Sequence, residues 1–300
     1  QWLYSVKPSI NISANNEYAF KWACYNGHLE IAQWLITIKP TINISAVNDY
    51  TFKCACIYGH LEVSQWLYSI KPTINISSNN EYAFRIVCSK GHLAIAQWLI
   101  SIKPSINISD SNEDAFIWSC LNGKLDVVKW LYTIKSTINI SAQNEYAFRG
   151  ACINGHLEVA KWLYTIKPTI DISANNEYAF RYACLKGYLE VAQWLLIIKP
   201  NINISAYDEE AFRYACYKGH LKVAQWLQSL LPDKYELLIE NNKIVGYNIK
   251  QVLPIYNNSV NLSYNSVEEV ICPICYDENK YVEIQTNCKH NFCKSCITDY

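Results

Sequence analysis

The 300-residue sequence contains no methionine, so Gln1 is not expected to be a translation start and the chain reads as part of a longer protein. It also lacks an excess of either charge. Its 26 basic residues face 26 acidic ones, and without a basic field no nucleic-acid partner is expected. Long hydrophobic runs are missing as well: 51% of the residues are hydrophobic, ample for a core, yet no run approaches the roughly 20 residues that span a bilayer. Neither a membrane partner nor a visible secretory signal is therefore read from the sequence. Cysteine, by contrast, is plentiful, with 13 residues. Cys24, Cys56, Cys88, Cys120, Cys152, Cys184 and Cys216 recur at one fixed interval, and five more sit near the C-terminus. Stacked helical layers lie about 8–10 Å apart, whereas a disulfide needs Cα atoms within about 7 Å. The recurring cysteines are thus expected to be small buried hydrophobes in a reducing compartment.

That interval is 32 residues, as the series Trp2, Trp34, Trp66, Trp98, Trp130, Trp162, Trp194 and Trp226 shows. Gly27 to Gly219 and Phe20 to Phe212 keep the same spacing. Self-similarity at this period signals a stacked repeat fold, with one partial leading unit and seven complete ones over residues 1–232. Within a unit, Asn16 reads as an N-cap and Glu17 as a charge complementing the helix's positive end. Phe20, Ala23, Cys24 and Gly27 share one helical face, Gly27 stops the helix, and Ile31, Trp34, Leu35 and Ile38 form the apolar face of a second helix. Pro40 prevents continuation, an extended stretch follows at residues 42–45, and the cap recurs at Asn48, Asn80, Asn112, Asn144, Asn176 and Asp208. A pair of helices this short buries its apolar face only by stacking, so the Trp series is expected to be a buried structural ladder.

Ala23-Cys24-Tyr25-Asn26-Gly27-His28-Leu29-Glu30-Ile31 resembles the second half of the ankyrin motif, and Asn43-Ile44-Ser45 is similar to its Asp-Val-Asn. The family's Thr-Pro-Leu-His is replaced by Tyr18-Ala19-Phe20-Lys21, and the segment from Ile44 to Tyr50 is shorter than the usual finger. The preference for Ile, Asn, Lys and Tyr resembles the ankyrin-repeat proteins of giant DNA viruses. The resemblance implies an all-α helical solenoid that binds a protein target.

His28, His60, His92, His156 and His220 occupy equivalent positions, replaced elsewhere by Lys124 and Tyr188. One layer apart, they do not converge on an ion and are read as structural. Asn11-Ile12-Ser13 and its equivalents match a glycosylation acceptor but are read as loops. The positions before each Gly vary where Phe, Gly and Trp do not. Tyr25, Asn26, Tyr58, Lys90, Leu121, Lys186, Tyr217 and Lys218 are therefore the expected partner-binding face, since ankyrin-like modules use these positions for contact.

Beyond residue 232 the period fades. Residues 233–268 read as an end cap and linker, with a hairpin over residues 234–250 turning at Asn241-Asn242. Residues 269–300 then carry Cys272-Pro273-Ile274-Cys275, Cys288-Lys289-His290 and Cys293-Lys294-Ser295-Cys296. Each short spacing lets two ligands meet one tetrahedral zinc ion, and no βαβ pattern supports a redox reading. The spacing resembles the first six ligands of a RING finger; a LIM finger is the alternative. The RING resemblance implies Cys272, Cys275, Cys293 and Cys296 at one zinc and Cys288 with His290 at a second. It also implies that the last ligand pair lies beyond Tyr300 and that Ile274 contacts a ubiquitin-conjugating enzyme. No catalytic residue is expected. The combined expectation is a ubiquitin ligase whose array recruits a target, in the cytoplasm or nucleus of an infected host cell; the alternative is a scaffold without enzymatic activity.

Overall fold

The computed structural model describes residue 7, residues 11–12, 14–44 and 46–250, and the pairs 284–285 and 291–292. Among them lie fourteen α-helices, arranged as an ankyrin-repeat solenoid. Two units are distinguished. Unit 1 comprises Gln1–Ala183 and Glu190–Ala206, and unit 2 comprises Cys184–Leu189 and Tyr207–Tyr300.

Unit 1 alternates first helices of 12 or 13 residues with second helices of 10. They are α1 (Ala14–Tyr25), α2 (Leu29–Ile38), α3 (Ala46–Ile57), α4 (Leu61–Ile70), α5 (Ser78–Lys90), α6 (Leu93–Ile102), α7 (Asp110–Leu121), α8 (Leu125–Ile134), α9 (Ala142–Ile153) and α10 (Leu157–Ile166). Helices α11 (Ala174–Leu185) and α12 (Leu189–Ile198) follow, with residues 184–189 assigned to unit 2. First helices pack in chain order, α1 on α3, α3 on α5, α5 on α7 and α7 on α9, and each of these packs on its own second helix. Phe20, Phe52, Phe84, Phe116, Phe148 and Phe180 are wholly buried between layers, as are the cysteines one turn later. All repeat cysteines are free thiols. Burial pushes the Cys24 and Cys56 thiols up to about 12, so they remain protonated and inert.

The tryptophans differ from expectation. Trp34, Trp66, Trp98, Trp130, Trp162 and Trp194 are half-buried. Their indoles lean on the buried Phe of the neighbouring layer, as in Phe20–Trp66 with ring centroids 6.3 Å apart and Phe84–Trp130 at 6.4 Å. Tyr68, Tyr132 and Tyr164 meet the next Trp edge to face. The Phe and Cys series is the core, and the Trp series flanks it.

The N-cap expectation is also corrected. Asn80, Asn112, Asn144 and Asn176 have φ of 55° to 66° and lie inside three-residue left-handed turns, such as Gln143-Asn144-Glu145. Asn recurs there because it tolerates that conformation better than other L-residues, and its side chain is not the cap. The turn is closed by a basic residue five positions on: Arg149 Nε donates to the Asn144 carbonyl at 2.8 Å, and Arg181 Nε to the Asn176 carbonyl at 2.8 Å.

The following Glu does not simply complement a helix end either. Glu145 is 7% exposed, and its Oε1 accepts from Ser141 Oγ at 2.6 Å and from the backbone N–H of Asp171, in the next layer, at 3.5 Å. Lys167 Nζ donates to the same Ser141 hydroxyl. Glu177 repeats the arrangement with Ser173, the N–H of Asn203 and Lys199. This buried Lys–Ser–Glu chain ties each loop to the layer before it, and it offsets the strain of a Glu at positive φ. Residues 42–44 form no strand, and neither do the equivalent stretches of the later repeats; they are anchored by buried Ile such as Ile42 and Ile74. The Asn-x-Ser triplets at Asn75, Asn139 and Asn203 are Asx turns, as where Asn139 Oδ1 accepts from the Ser141 N–H at 3.2 Å.

Unit 2 contains α13 (Ala206–Tyr217), α14 (Leu221–Leu230), and strands β1 (Tyr235–Glu240), β2 (Lys243–Ile249), β3 (Ile284–Gln285) and β4 (Asn291–Phe292). The hairpin β1–β2 turns at Asn241 and Asn242, whose φ values of 48° and 61° suit a type I′ turn. It caps the last repeat. Tyr235 is 1% exposed and stacks on Phe212 with centroids 4.0 Å apart, while Tyr247 meets the same ring edge on at 5.7 Å. The Tyr235 hydroxyl donates to Glu209, which is also paired with Lys234. Tyr235 follows Glu209 by 26 residues, the offset that separates Asn139 from Glu113. The repeat spacing thus persists two residues past Asp233, where the sequence reading ended it.

Candidate recognition face and zinc segment

From first to second helix the chain passes through Gly and then His, except where Lys124 and Tyr188 follow Gly123 and Gly187. Gly123 has φ +69°, and a Cβ there would lie 2.5 Å from Nδ1 of His156 in the next layer, so the position excludes any side chain. His60 Nε2 lies 2.9 Å from the carbonyl oxygen of Tyr25, satisfying an acceptor at the preceding helix end. Burial depresses the His92 and His156 imidazoles below their ordinary range, partly countered by hydrogen bonds to the Ile57 and Leu121 carbonyls. The histidines are interlayer ties, as their equivalent spacing indicates. Among the described residues no group of three or more His, Cys, Asp or Glu is placed to hold a metal.

The candidate partner-binding residues separate by position. One residue before Gly, Tyr58 is 43% exposed, and Lys90, Lys186 and Lys218 are exposed. Asn26 is half-buried and its amide donates to the Trp22 carbonyl. Two residues before Gly, Tyr25 is half-buried while Tyr217 is 75% exposed. Leu121 does not belong to this surface. It is 7% exposed, and a Cβ on Gly150 would lie 2.2 Å from its Cδ1, so Leu121 fills the space that Gly150 leaves in the next layer.

Exposed aromatics one and two turns earlier on the same helices extend the face. Tyr18 (56% exposed) stacks on Trp22 (53%), Trp22 on Tyr25 at 5.2 Å, Tyr25 meets Tyr58 at 4.2 Å, and Lys90 Nζ lies 5.2 Å from the Tyr58 ring. A hydrogen bond with Tyr58 holds the Tyr25 phenol above its ordinary range. Farther along, the buried Arg149 lies between Tyr146 and Tyr178, and the buried Arg181 between Tyr178 and Tyr182, at 5.3–5.9 Å, so the guanidinium groups brace half-buried rings and are not themselves exposed. Sequence reasoning missed these rings, although Tyr18, Trp22 and Tyr25 follow the spacing of one helix face. Rigid Tyr, Trp and Arg side chains are the residues that dominate protein interfaces.

Cys272, Ile274, Cys275, Cys288, His290, Cys293 and Cys296 lie outside the described residues. The described strands β3 and β4 pair Ile284 with Phe292 and Gln285 with Asn291. They bring together the two ends of the segment that carries Cys288 and His290, directly before Cys293. Thiolate and imidazole donors at two-residue spacings suit a closed structural zinc site, and zinc is the ion that the RING family binds. No helix among the described residues is long and apolar enough to cross a membrane.

Residues 52–144 and 148–237 match the family described as ankyrin repeats (3 copies), and residues 272–300 match the zinc finger of C3HC4 type (RING finger). No curated protein matches the chain. Among solved structures, the crystal structure of the human ASB11 ankyrin repeat domain is similar with a TM-score of 0.51. The match is 16% identical and covers 70% of this chain and 96% of that one. At that identity the likeness is one of fold.

Proposed function

The chain belongs to the ankyrin-repeat family, and from that premise we propose that it is the substrate-binding and enzyme-docking part of a RING-type ubiquitin ligase. The observation that carries the reading is the union, in one chain, of an exposed aromatic face on a repeat array with the first six ligands of a C3HC4 series. The array holds a protein target through Tyr18, Trp22, Tyr25, Asn26, Tyr58 and Lys90 in unit 1 and through Lys186, Tyr217 and Lys218 in unit 2. The finger, with zinc held by Cys272, Cys275, Cys293 and Cys296 and by Cys288 with His290, docks a ubiquitin-charged conjugating enzyme against Ile274. Zinc supplies only the fold of the finger. The chain contributes proximity: tethering a target lysine near the enzyme's thioester raises its effective concentration to about the millimolar range. The composition fits a viral protein working in the host cytoplasm or nucleus.

The test is reconstituted ubiquitin transfer with the full-length protein and a captured target. Tyr25→Ala with Tyr58→Ala should abolish target modification while free chain formation continues, because the finger is untouched. Equal target modification by this variant and the wild type rejects the receptor role of the face. A scaffold that only docks through its finger is the second reading, favoured if the target binds and no transfer occurs.

A further inference from the structure

Unit 1 spreads its charge unevenly over each repeat. On α1, α3 and α5 the side of the helix away from the core holds the positions of Tyr18, Lys21, Trp22, Tyr25 and Asn26. Over the three helices these positions carry Lys21, Lys53, Arg85 and Lys90 and no acid. The exposed acids of the same repeats stand on the second helices, as Glu30 of α2 and Glu62 of α4. Glu17 and Glu81 are buried, and Asp49 Oδ2 accepts from the Asn75 N–H at 3.1 Å, so these carboxylates serve the interlayer loops. Arg85 is already paired with Asp114 of α7 at 2.5 Å. The three lysines therefore leave the face positive, in a chain whose formal net charge is zero.

Lys53 is a buried base without a counter-charge. It is 8% exposed, and among the described residues it has neither an ion pair nor a hydrogen bond. Its equivalents Arg85 and Arg149 donate through Nε to the carbonyls of Asn80 and Asn144 at 2.9 and 2.8 Å, a bond for which lysine has no nitrogen in place. A desolvated ammonium of this kind is unfavourable until an anion pairs with it. Lys90 is exposed, and its contact with the Tyr58 ring at 5.2 Å leaves its charge uncompensated, because the ring is neutral. Exposed Tyr18, Trp22 and Tyr58 stand among these lysines and suit apolar side chains. We propose that the face of α1, α3 and α5 binds an acidic segment of the partner protein, with Asp or Glu carboxylates on Lys53, Lys90 and Lys21 and apolar side chains on the rings between them. This inference rests on the reading of the first-helix face as a recognition surface and names the chemistry of its partner. Rings beside bases also suit single-stranded nucleic acid, but three lysines are few against a phosphate backbone that tight binders meet at about 6–10 points.

The probe is a dye-labelled peptide of about eight residues alternating Glu with Leu, titrated into the full chain by fluorescence anisotropy. At roughly 3.3 Å per extended residue that length spans three helix layers about 8–10 Å apart. The controls replace every Glu by Gln or by Lys, and an oligothymidylate of similar length represents single-stranded nucleic acid. The acidic peptide should bind roughly 10-fold tighter than the Gln peptide, and the preference should shrink as salt rises from about 0.05 to 0.3 M. Lys53→Met should weaken binding about 10-fold, and Lys90→Ala about 2- to 5-fold because that ammonium is exposed. Lys53→Met should also leave the urea midpoint unchanged or raised, since the lysine has no partner to lose; a lowered midpoint assigns Lys53 to the fold and overturns its role here. Equal affinity for the Gln peptide, preference for the Lys peptide, tighter binding of the oligothymidylate, full affinity in the Lys53→Met/Lys90→Ala double variant, or no saturation by any probe overturns the assignment. Capture of a target is measured in parallel with Tyr25→Ala/Tyr58→Ala. If the peptides fail while capture still depends on those rings, the acidic assignment falls and the recognition face stands.

Discussion

Replacing Phe84 and Trp130, singly and together, measures which aromatic series carries the array. Phe84 has no exposed surface, and Trp130 leans on it at 6.4 Å with an interplanar angle of 58° while remaining half in solvent. Removal of a buried Phe loses its transfer energy and leaves a cavity that the flanking layers do not close, so Phe84→Ala should cost about 3–5 kcal/mol. Trp130→Ala removes a ring that water already reaches, so no sealed cavity forms and only part of the transfer term is lost. Roughly 1.5–3 kcal/mol is expected. The double variant should reveal a coupling of about 0.5–1.5 kcal/mol from the lost ring contact. Urea unfolding followed by far-UV circular dichroism supplies all four corners of the cycle. A cost for Trp130→Ala equal to or above that of Phe84→Ala would refute the assignment of the core to the Phe series.

Stability should fall on mild acidification. His92 and His156 have imidazole pKa values held below the ordinary 6.5 by burial, so below that pH the unfolded chain binds protons that the native chain refuses. The loss begins near pH 6.5, grows until the depressed native values are passed, and then levels off; His92→Gln with His156→Gln should flatten it in urea titrations between pH 7.5 and 5, and a gain in stability on acidification contradicts the burial argument. Glu145→Leu should cost about 1–3 kcal/mol in the same assay, because Ser141 Oγ and the Asp171 N–H lose the one carboxylate oxygen that accepts from both; an unchanged midpoint means that the Lys–Ser–Glu chain adds nothing. Chelation of zinc should leave the melting of the helical signal unchanged, since no described residues form a metal-binding group, and a substantial drop in melting temperature argues against that independence.

The period of 32 residues makes the helical repeat, the buried Phe and Cys positions and the structural histidines legible in the sequence, and the Asn241-Asn242 turn signal does the same for the hairpin. Spacing of this kind depends on local chain geometry, which a sequence states directly. Burial depth is a different matter. Trp is as invariant as Phe, yet only the Phe series is fully buried, and identity alone does not carry that distinction. The Glu145 network joins residues 26 positions apart, so it was read as a local helix charge. Leu121 was placed on the surface by its variability, whereas it varies to match the missing side chain at Gly150, a compensation that only the packing of adjacent layers reveals. Of the candidate recognition face, variation marks the residues beside Gly, whereas Tyr18 and Trp22 are large aromatics on a helix whose other face is buried, and residue type alone does not tell an exposed ring from a core one.

Recruitment of a conjugating enzyme by the finger is measured most directly as chain formation by the full-length protein beside its Ile274→Ala variant across a broad panel of conjugating enzymes. The expected result is ubiquitin chains with at least one enzyme, and their loss in Ile274→Ala with zinc content unchanged. A wild-type protein that is fully metallated and inert with every enzyme would contradict it, and would leave the array as a scaffold.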